Sequence, residues 1–276
     1  MFSLNCRGKL LFIDKPLVMG IVNLTEDSFF AASRVQTLEA LKNKAEQMVQ
    51  EGADILDIGA QSTRPGSIRI PAEDELKKII PAIEFLSQQF PQIPISVDTY
   101  HSKVAAECVN KGASIINDIS GGEMDKKMIE TVGKLDAPYI CMHMKGVPET
   151  MQQQSHYEDI VKEILDFFIL KVNECTKAGI RDMIIDPGFG FGKNTSQNLH
   201  LLKELGALRM LGKPIMAGIS RKTTIYKTLN ISADQSLNGT TVLNTIALLN
   251  GASILRVHDV KEAKQAITLC EAYLYA

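Results

Sequence analysis

Five apolar runs in this chain each end on a single polar side chain. Val18–Val22 runs into Asn23, Ile95–Val97 into Asp98, Ser114–Ile116 into Asn117, Met183–Ile185 into Asp186, and Ile254–Leu255 into Arg256. Two carboxamides, two carboxylates and a guanidinium are hydrogen-bonding groups suited to holding a small polar substrate. Short, near-continuous apolar runs are what a parallel strand buried on both faces requires. The C-terminal tip of such a strand is where α/β enzymes keep their substrates. The set reads as an active-site inventory.

The elements that would carry these tips repeat along the chain. Gly52–Asp57, Gly112–Asn117 and Gly251–Arg256 share one pattern, and Gly179–Asp186 is a looser copy. In each, an amphipathic helix stops at a glycine, which tolerates the left-handed cap, and a strand follows at once. Before Gly52, the residues Leu38, Leu41, Ala45, Met48 and Val49 recur at helical spacing. The pattern predicts strands near 17–22, 54–59, 93–97, 114–117, 137–142, 182–185, 214–217 and 252–256, with helices between them and a last helix from about Val260. Eight alternations predict an α/β fold, a single (β/α)8 TIM barrel. Residues 1–13, with Arg7-Gly8 in the middle, are expected to form a β-hairpin that plugs the barrel's N-terminal end. A doubly wound open sheet is the second choice, disfavoured because no GxGxxG follows the first strand. No linker or low-complexity tract divides the chain, so residues 1–276 are expected to form one domain.

Composition narrows the partners. With 45% hydrophobic residues there is ample core material, and a net charge of -2 gives no electrostatic case for nucleic acid or a membrane surface. An anionic ligand would need local Arg and Lys. The five cysteines lack any CxxC pair and read as reduced thiols. No leader and no apolar run near the roughly 18 residues of a membrane span is visible, so a soluble, cytoplasmic protein is expected. His101, His143, His156 and His200 show no zinc-ligand spacing, and His143 reads as core or loop packing.

The segments after the strands are richer still. They read Asn23-Leu24-Thr25-Glu26-Asp27-Ser28-Phe29, Ser62-Thr63-Arg64-Pro65-Gly66, Asp186-Pro187-Gly188-Phe189-Gly190-Phe191-Gly192-Lys193, Ser220-Arg221-Lys222 and Arg256-Val257-His258-Asp259. Any one of them would be weak. Together, and in this order, they make the chain closely resemble the dihydropteroate synthase family over essentially its whole length. Members join a pterin diphosphate to p-aminobenzoate in folate synthesis.

That resemblance implies a site. A pterin presents an amino-pyrimidinone edge whose adjacent N–H donors a carboxylate can accept as a pair. Asp186, helped by Asp98 and Asn117, is implied to read that edge, while Lys222 meets the pterin carbonyl oxygen. Arg256 is implied to stack on the ring, which Arg does and Lys does poorly, with Met142 and Phe191 as apolar walls. Arg64, Arg256 and His258 would hold the diphosphate, on loops two and eight taken as neighbours in a closed barrel. Asn23 looks like the family's Mg2+ ligand, chemically reasonable because Mg2+ keeps waters and substrate phosphate. Ser220, Thr63, Arg64, Pro65 and Phe29 would form the p-aminobenzoate subsite, which the family also offers to sulfonamides. As the diphosphate leaves, the pterin methylene gains cation character that Asp27 would stabilise. Asp27, Arg64, Lys222 and His258 are thus the implied catalytic set. Asp57 and Asp118 read as helix caps or loop braces. A homodimer through the late helices is implied as well.

Three stretches depart from the family pattern. Glu26 stands where Pro is common, and Phe30-Ala31-Ala32-Ser33 where Asp-Gly-Gly is typical. Ala60-Gln61 replaces Gly-Glu, and Thr223-Thr224-Ile225-Tyr226 replaces Ser-Phe-Ile-Gly. Two other activities fit parts of the inventory. A methyltransferase of the pterin-binding barrel type would share the Asp and Asn contacts but not need the loops at 62–66 and 220–222. A silent pterin-binding protein would not need Asn23, Arg64, Lys222 and His258.

Overall fold

The computed structural model describes residues 1–24, 34–61, 67, 69–147, 151 and 155–276. Its frame is eight parallel strands: β3 (Leu17–Asn23), β4 (Ile55–Gly59), β5 (Ile95–Asp98), β6 (Ile115–Asp118), β7 (Tyr139–Met142), β8 (Met183–Asp186), β9 (Met216–Ala217) and β10 (Ile254–Val257). They pair in the order β8-β7-β6-β5-β4-β3-β10-β9, and a parallel bridge from Ile185 to Ile215 brings the two edges together. The ring is the expected (β/α)8 barrel. Helices α1 (Arg34–Gln50), α2 (Ala72–Gln89), α3 (Ser102–Asn110), α4 (Met128–Leu135), α5 (Ile160–Lys177), α6 (Thr195–Lys203), α7 (Thr223–Leu229), α8 (Leu237–Leu249) and α9 (Val260–Leu274) surround it.

The repeat has the predicted backbone cause. Gly52, Gly112, Gly179 and Gly251 all sit at positive φ, between 88° and 126°, so each turns a helix end straight into the next strand. Strand ends differ from the sequence reading in one systematic way. Most strands begin one or two residues late, and five of the eight end one residue late, so Asn23, Asp98 and Asp186 are the last residues of their ladders rather than loop residues. The seventh strand shrinks to two residues, because the chain before it bridges to β8 and β10 through isolated backbone bonds from the 214–215 segment. Backbone pairing thus holds most of the polar tips rigidly.

Register puts three of these tips in one transverse row with Gly59: Asn23 pairs with Gly59, Gly59 with Asp98, and Asp98 with Asn117. Strands two and eight, β4 and β10, flank strand one instead of touching each other. The expected adjacency of loops two and eight is therefore corrected: the strands that lead into them are separated by strand one.

The opposite end is closed by β1 (Phe2–Cys6) and β2 (Lys9–Ile13), an antiparallel hairpin. Leu4, Cys6 and Ile13 pack on Leu17, Met19, Ile55, Ile115, Ile140, Ile184, Met216 and Ile254, which line the lower barrel. The hairpin is pinned by Asn5 N–H to Asp182 Oδ2 (2.6 Å) and Lys9 Nζ to the Pro91 carbonyl (2.6 Å). All five cysteines are buried and unpaired. Among the described residues no helix is long and apolar enough to cross a membrane.

Candidate active site at the C-terminal mouth

Arg256 is the hub. Its Nε donates to Asp57 Oδ2 (2.7 Å), and its Nη2 lies 2.6 Å from both Asp57 Oδ2 and Asp98 Oδ2. Asn117 Nδ2 donates to the same Asp57 oxygen at 3.1 Å. Asp57 was read as a brace outside the site; its fully buried carboxylate instead orients two expected pterin ligands. The sequence signal was present, since Asp57 lies inside the first copy of the repeat. Its interior position, two residues before the strand end, hid it. Asp118 does act as a brace: it accepts from Ser120 N–H, Ser120 Oγ, Gly122 N–H and Tyr139 OH.

On the three residues expected to read the pterin edge, one acceptor oxygen each then stands without a protein partner among the described residues. They are Asp98 Oδ1, the carboxamide oxygen of Asn117, and Asp186 Oδ2, the other Asp186 oxygen accepting from Gly188 N–H (2.8 Å). One ammonium, Lys222, enters beside them. Its Nζ donates to the Phe189 carbonyl and lies 4.7 Å from the Phe191 ring centre. A side chain at Gly218 would begin 3.8 Å from Lys222 Nζ and 3.9 Å from Asp186 Oδ2, so this glycine keeps the space between them open. Met142 and Phe191 join Tyr100, Ile119 and Met151 in an apolar cluster against the same mouth.

Burial weakens every charge here. It presses the Asp98 and Asp186 carboxyls above their usual range, with Arg256 and Lys222 respectively pulling back. It brings Lys222 down to about 8, with Asp186 opposing. Burial also works against Arg256, but Asp57 and Asp98 more than offset it and the guanidinium stays charged. Such opposed shifts in one mouth are typical of functional sites.

The loop after β8 is fastened from behind. Lys193, 3% exposed, donates to the carbonyls of Gly188 (2.9 Å) and Phe191 (3.0 Å) and lies 3.1 Å from His143 Nδ1. Burial lowers Lys193 to about 7 and holds His143 neutral, so the imidazole can accept. Gly188 sits at φ +71°, and a Cβ there would meet the His143 carbonyl at 2.0 Å. His143 packs edge-on to Phe167, in keeping with the packing reading. Lys193 closed the glycine-rich motif in the sequence, but nothing there said which way it turned.

Two residues expected to meet the diphosphate, Asn23 and His258, are exposed among the described residues. Asn23 is exposed at the end of β3, and its side chain makes no hydrogen bond among the described residues. A free, hard amide oxygen at an exposed strand tip fits a Mg2+ that draws its remaining ligands from water and phosphate. Among the described residues no group of three or more His, Cys, Asp or Glu side chains could hold a metal. His258 sits exposed at the rim, with Nδ1 3.0 Å from Ser220 Oγ. Shielding by packed neighbours and then the Arg256 charge hold its pKa below the usual range. Behind them Arg221 forms a two-bonded pair with Asp259, Nε to Oδ2 at 2.9 Å and Nη2 to Oδ1 at 2.8 Å, locking loop seven to loop eight. Both residues stand in sequence motifs, but nothing in those motifs pairs them. Asp27, Phe29, Thr63, Arg64 and Pro65 lie outside the described residues.

An acceptor row facing one ammonium, over an apolar wall at a barrel's C-terminal mouth, defines an α/β-barrel enzyme that binds a flat, donor-edged heterocycle. The family model described as pterin binding enzyme matches residues 19–258. The dihydropteroate synthase of Escherichia coli K12 is 39% identical over 276 residues, covering 99% of this chain and 97% of its own. Among solved structures, a Yersinia pestis dihydropteroate synthase with a sulfonamide drug complex superposes at TM-score 0.93, with 38% identity and full coverage of both chains. The Xanthomonas albilineans dihydropteroate synthase with 4-aminobenzoic acid superposes at 0.91, with 39% identity over 99% of this chain and 98% of that one. The chain belongs to the pterin-binding enzyme family and, within it, to the dihydropteroate synthases.

Proposed function

We propose that this transferase joins 6-hydroxymethyl-7,8-dihydropterin diphosphate to p-aminobenzoate, giving 7,8-dihydropteroate and diphosphate, within one pterin-binding domain. The observation that carries the reading is the trio of partnerless oxygens on Asp98, Asn117 and Asp186 beside the Lys222 ammonium. A pterin edge supplies donors for the oxygens and one carbonyl for the lysine. Met142 and Phe191 give the ring its wall. Arg256, held by Asp57 and Asp98, is charged and planar and can lie on the ring while facing the diphosphate.

Bond cleavage at the pterin methylene transfers negative charge to the departing diphosphate. Arg256 and His258, with Arg64 from loop two, stabilise that charge where it develops. Asn23 would hold Mg2+, which when bound neutralises diphosphate charge. Asp27 from loop one stabilises the positive charge left on the methylene. The neutral arylamine then attacks the methylene carbon, forms the C–N bond and releases its proton, so no dedicated base is needed. Ser220, Thr63, Arg64, Pro65 and Phe29 shape the p-aminobenzoate subsite, a reading supported by the 4-aminobenzoic acid and sulfonamide bound by relatives.

The partners are small molecules. A homodimer is supported by exposed Val242, Ile246 and Leu249 on α8 with Leu269, Tyr273 and Leu274 on α9, an apolar face on packed neighbouring helices. The place of work is the cytoplasm. Incubation with pterin diphosphate, p-aminobenzoate and Mg2+ should release dihydropteroate and diphosphate in equal amounts. Folded protein that yields neither would end the reading.

A further inference from the structure

We propose that Ser220 is a positioning residue for His258, its hydroxyl fixing the imidazole as the tautomer protonated at Nε2. A donor, rather than a lone pair, is then presented at the diphosphate end of the site. This deepens the reading above and rests on it for the identity of the anion.

The hydrogen-bond inventory makes the choice. Ser220 Oγ accepts the backbone N–H of His258 at 3.2 Å and lies 3.0 Å from His258 Nδ1. Ser220 is 4% exposed, and among the described residues its hydroxyl has no other partner. If Nδ1 carried the proton, Oγ would accept twice, and its own hydrogen would be buried without an acceptor, a costly arrangement. If the hydroxyl donates to Nδ1, the buried hydroxyl and Nδ1 are both satisfied and the ring proton must sit on Nε2. The two nitrogens point away from each other across the ring, so Nε2 faces away from Ser220. No described residue bonds it. The groups charging this corner are Arg256, Arg221, Lys222 and Asp259, of which three are positive and favour a neutral ring. A neutral imidazole can serve an anion only through N–H, so the tautomer decides whether His258 attracts or repels a phosphate oxygen. The same hydroxyl was assigned above to the p-aminobenzoate subsite. Its proton is committed to His258, so Ser220 couples that subsite to the diphosphate.

The test uses the full chain labelled with 15N-histidine, three single variants and one double variant. At neutral pH the His258 signals, identified by their loss in His258→Ala, should show an unprotonated Nδ1 and a protonated Nε2. Ser220→Ala should mix the tautomers, and Ser220→Thr, which keeps the hydroxyl, should restore the wild-type pattern. Calorimetric titration with inorganic diphosphate and Mg2+ should show about tenfold weaker binding in Ser220→Ala, the size of one hydrogen bond to a charged group. Adding Ser220→Ala to His258→Ala should cost nothing further. An Nδ1-protonated wild-type ring, additive losses in the double variant, or a rise confined to the KM for p-aminobenzoate would overturn the proposal. The tautomer is read without substrate, so an inactive wild type would sink the synthase reading and leave this result standing.

Discussion

The two ends of the barrel are built from the same strands and do opposite work. At the lower end Met19, Ile55, Ile115, Ile140, Ile184, Met216 and Ile254 meet the hairpin in a closed apolar cluster. A few residues further along, those strands or their neighbours carry Asn23, Asp98, Asn117, Asp186 and Arg256 at the last or next-to-last position. The lower end gains stability from every residue it buries. The upper end buries charges and loses by it: its carboxyls are pushed up, and Lys193 and Lys222 are pushed down. Rigid ladders let the barrel hold such groups close together without a ligand. On the proposed reading, a donor-edged ring and an anion are the ligands that would relieve them.

The comparison breaks if damage at the bottom reaches the chemistry. Ile184→Ala removes a fully buried side chain below the mouth and should cost about 2–5 kcal/mol by denaturant unfolding, leaving both KM values unchanged. A changed KM with intact stability would erase the division of labour.

Lys222→Met tests the upper end from the other side. Its pKa is depressed from 10.5 to about 8, so between those values the folded chain binds fewer protons than the unfolded one. Stability therefore rises with pH across that window, and the penalty is fully present below pH 8. The variant should melt higher than wild type at pH 7, by up to about 3 kcal/mol, while losing pterin affinity. A lower melting temperature would show that Lys222 supports the fold.

A smaller effect sharpens the picture at Glu75, in the first turn of α2 with Asp98 as a charged neighbour. Burial raises this carboxyl from 4.5 to about 7. The folded chain holds its proton where the unfolded chain has lost it, so stability falls as pH climbs from 4.5 through 7. Glu75→Gln should flatten that slope and stabilise the protein at pH 8 by roughly 1–3 kcal/mol. Melts at pH 5 and 8 that shift equally would argue against a neutral Glu75.

Much of this was legible in the sequence because strand burial and helix caps are local properties. Gly52, Gly112, Gly179 and Gly251 announced the βα rhythm, and apolar runs ending on polar residues announced the mouth. What stayed hidden needed three dimensions. Asp57 looks like any strand residue until Arg256, 199 positions away, closes on it. Arg221 and Asp259 sit in two motifs whose mutual bond appears only when loops seven and eight meet. Lys193 is charged and terminal in its motif, the usual sign of a surface residue, yet it turns inward to three backbone carbonyls and an imidazole. Loop adjacency is not legible in chain order, because the flanks of strand one follow from barrel closure.

The central claim is that the strand tips read a pterin edge, with Asp186 foremost. Calorimetric titration of the pterin diphosphate into wild type and Asp186→Asn tests it directly. The amide replaces a two-oxygen acceptor by one acceptor and one donor, so affinity should fall on the order of 100-fold while the melting temperature holds or rises. Equal affinity in the two proteins would contradict the account.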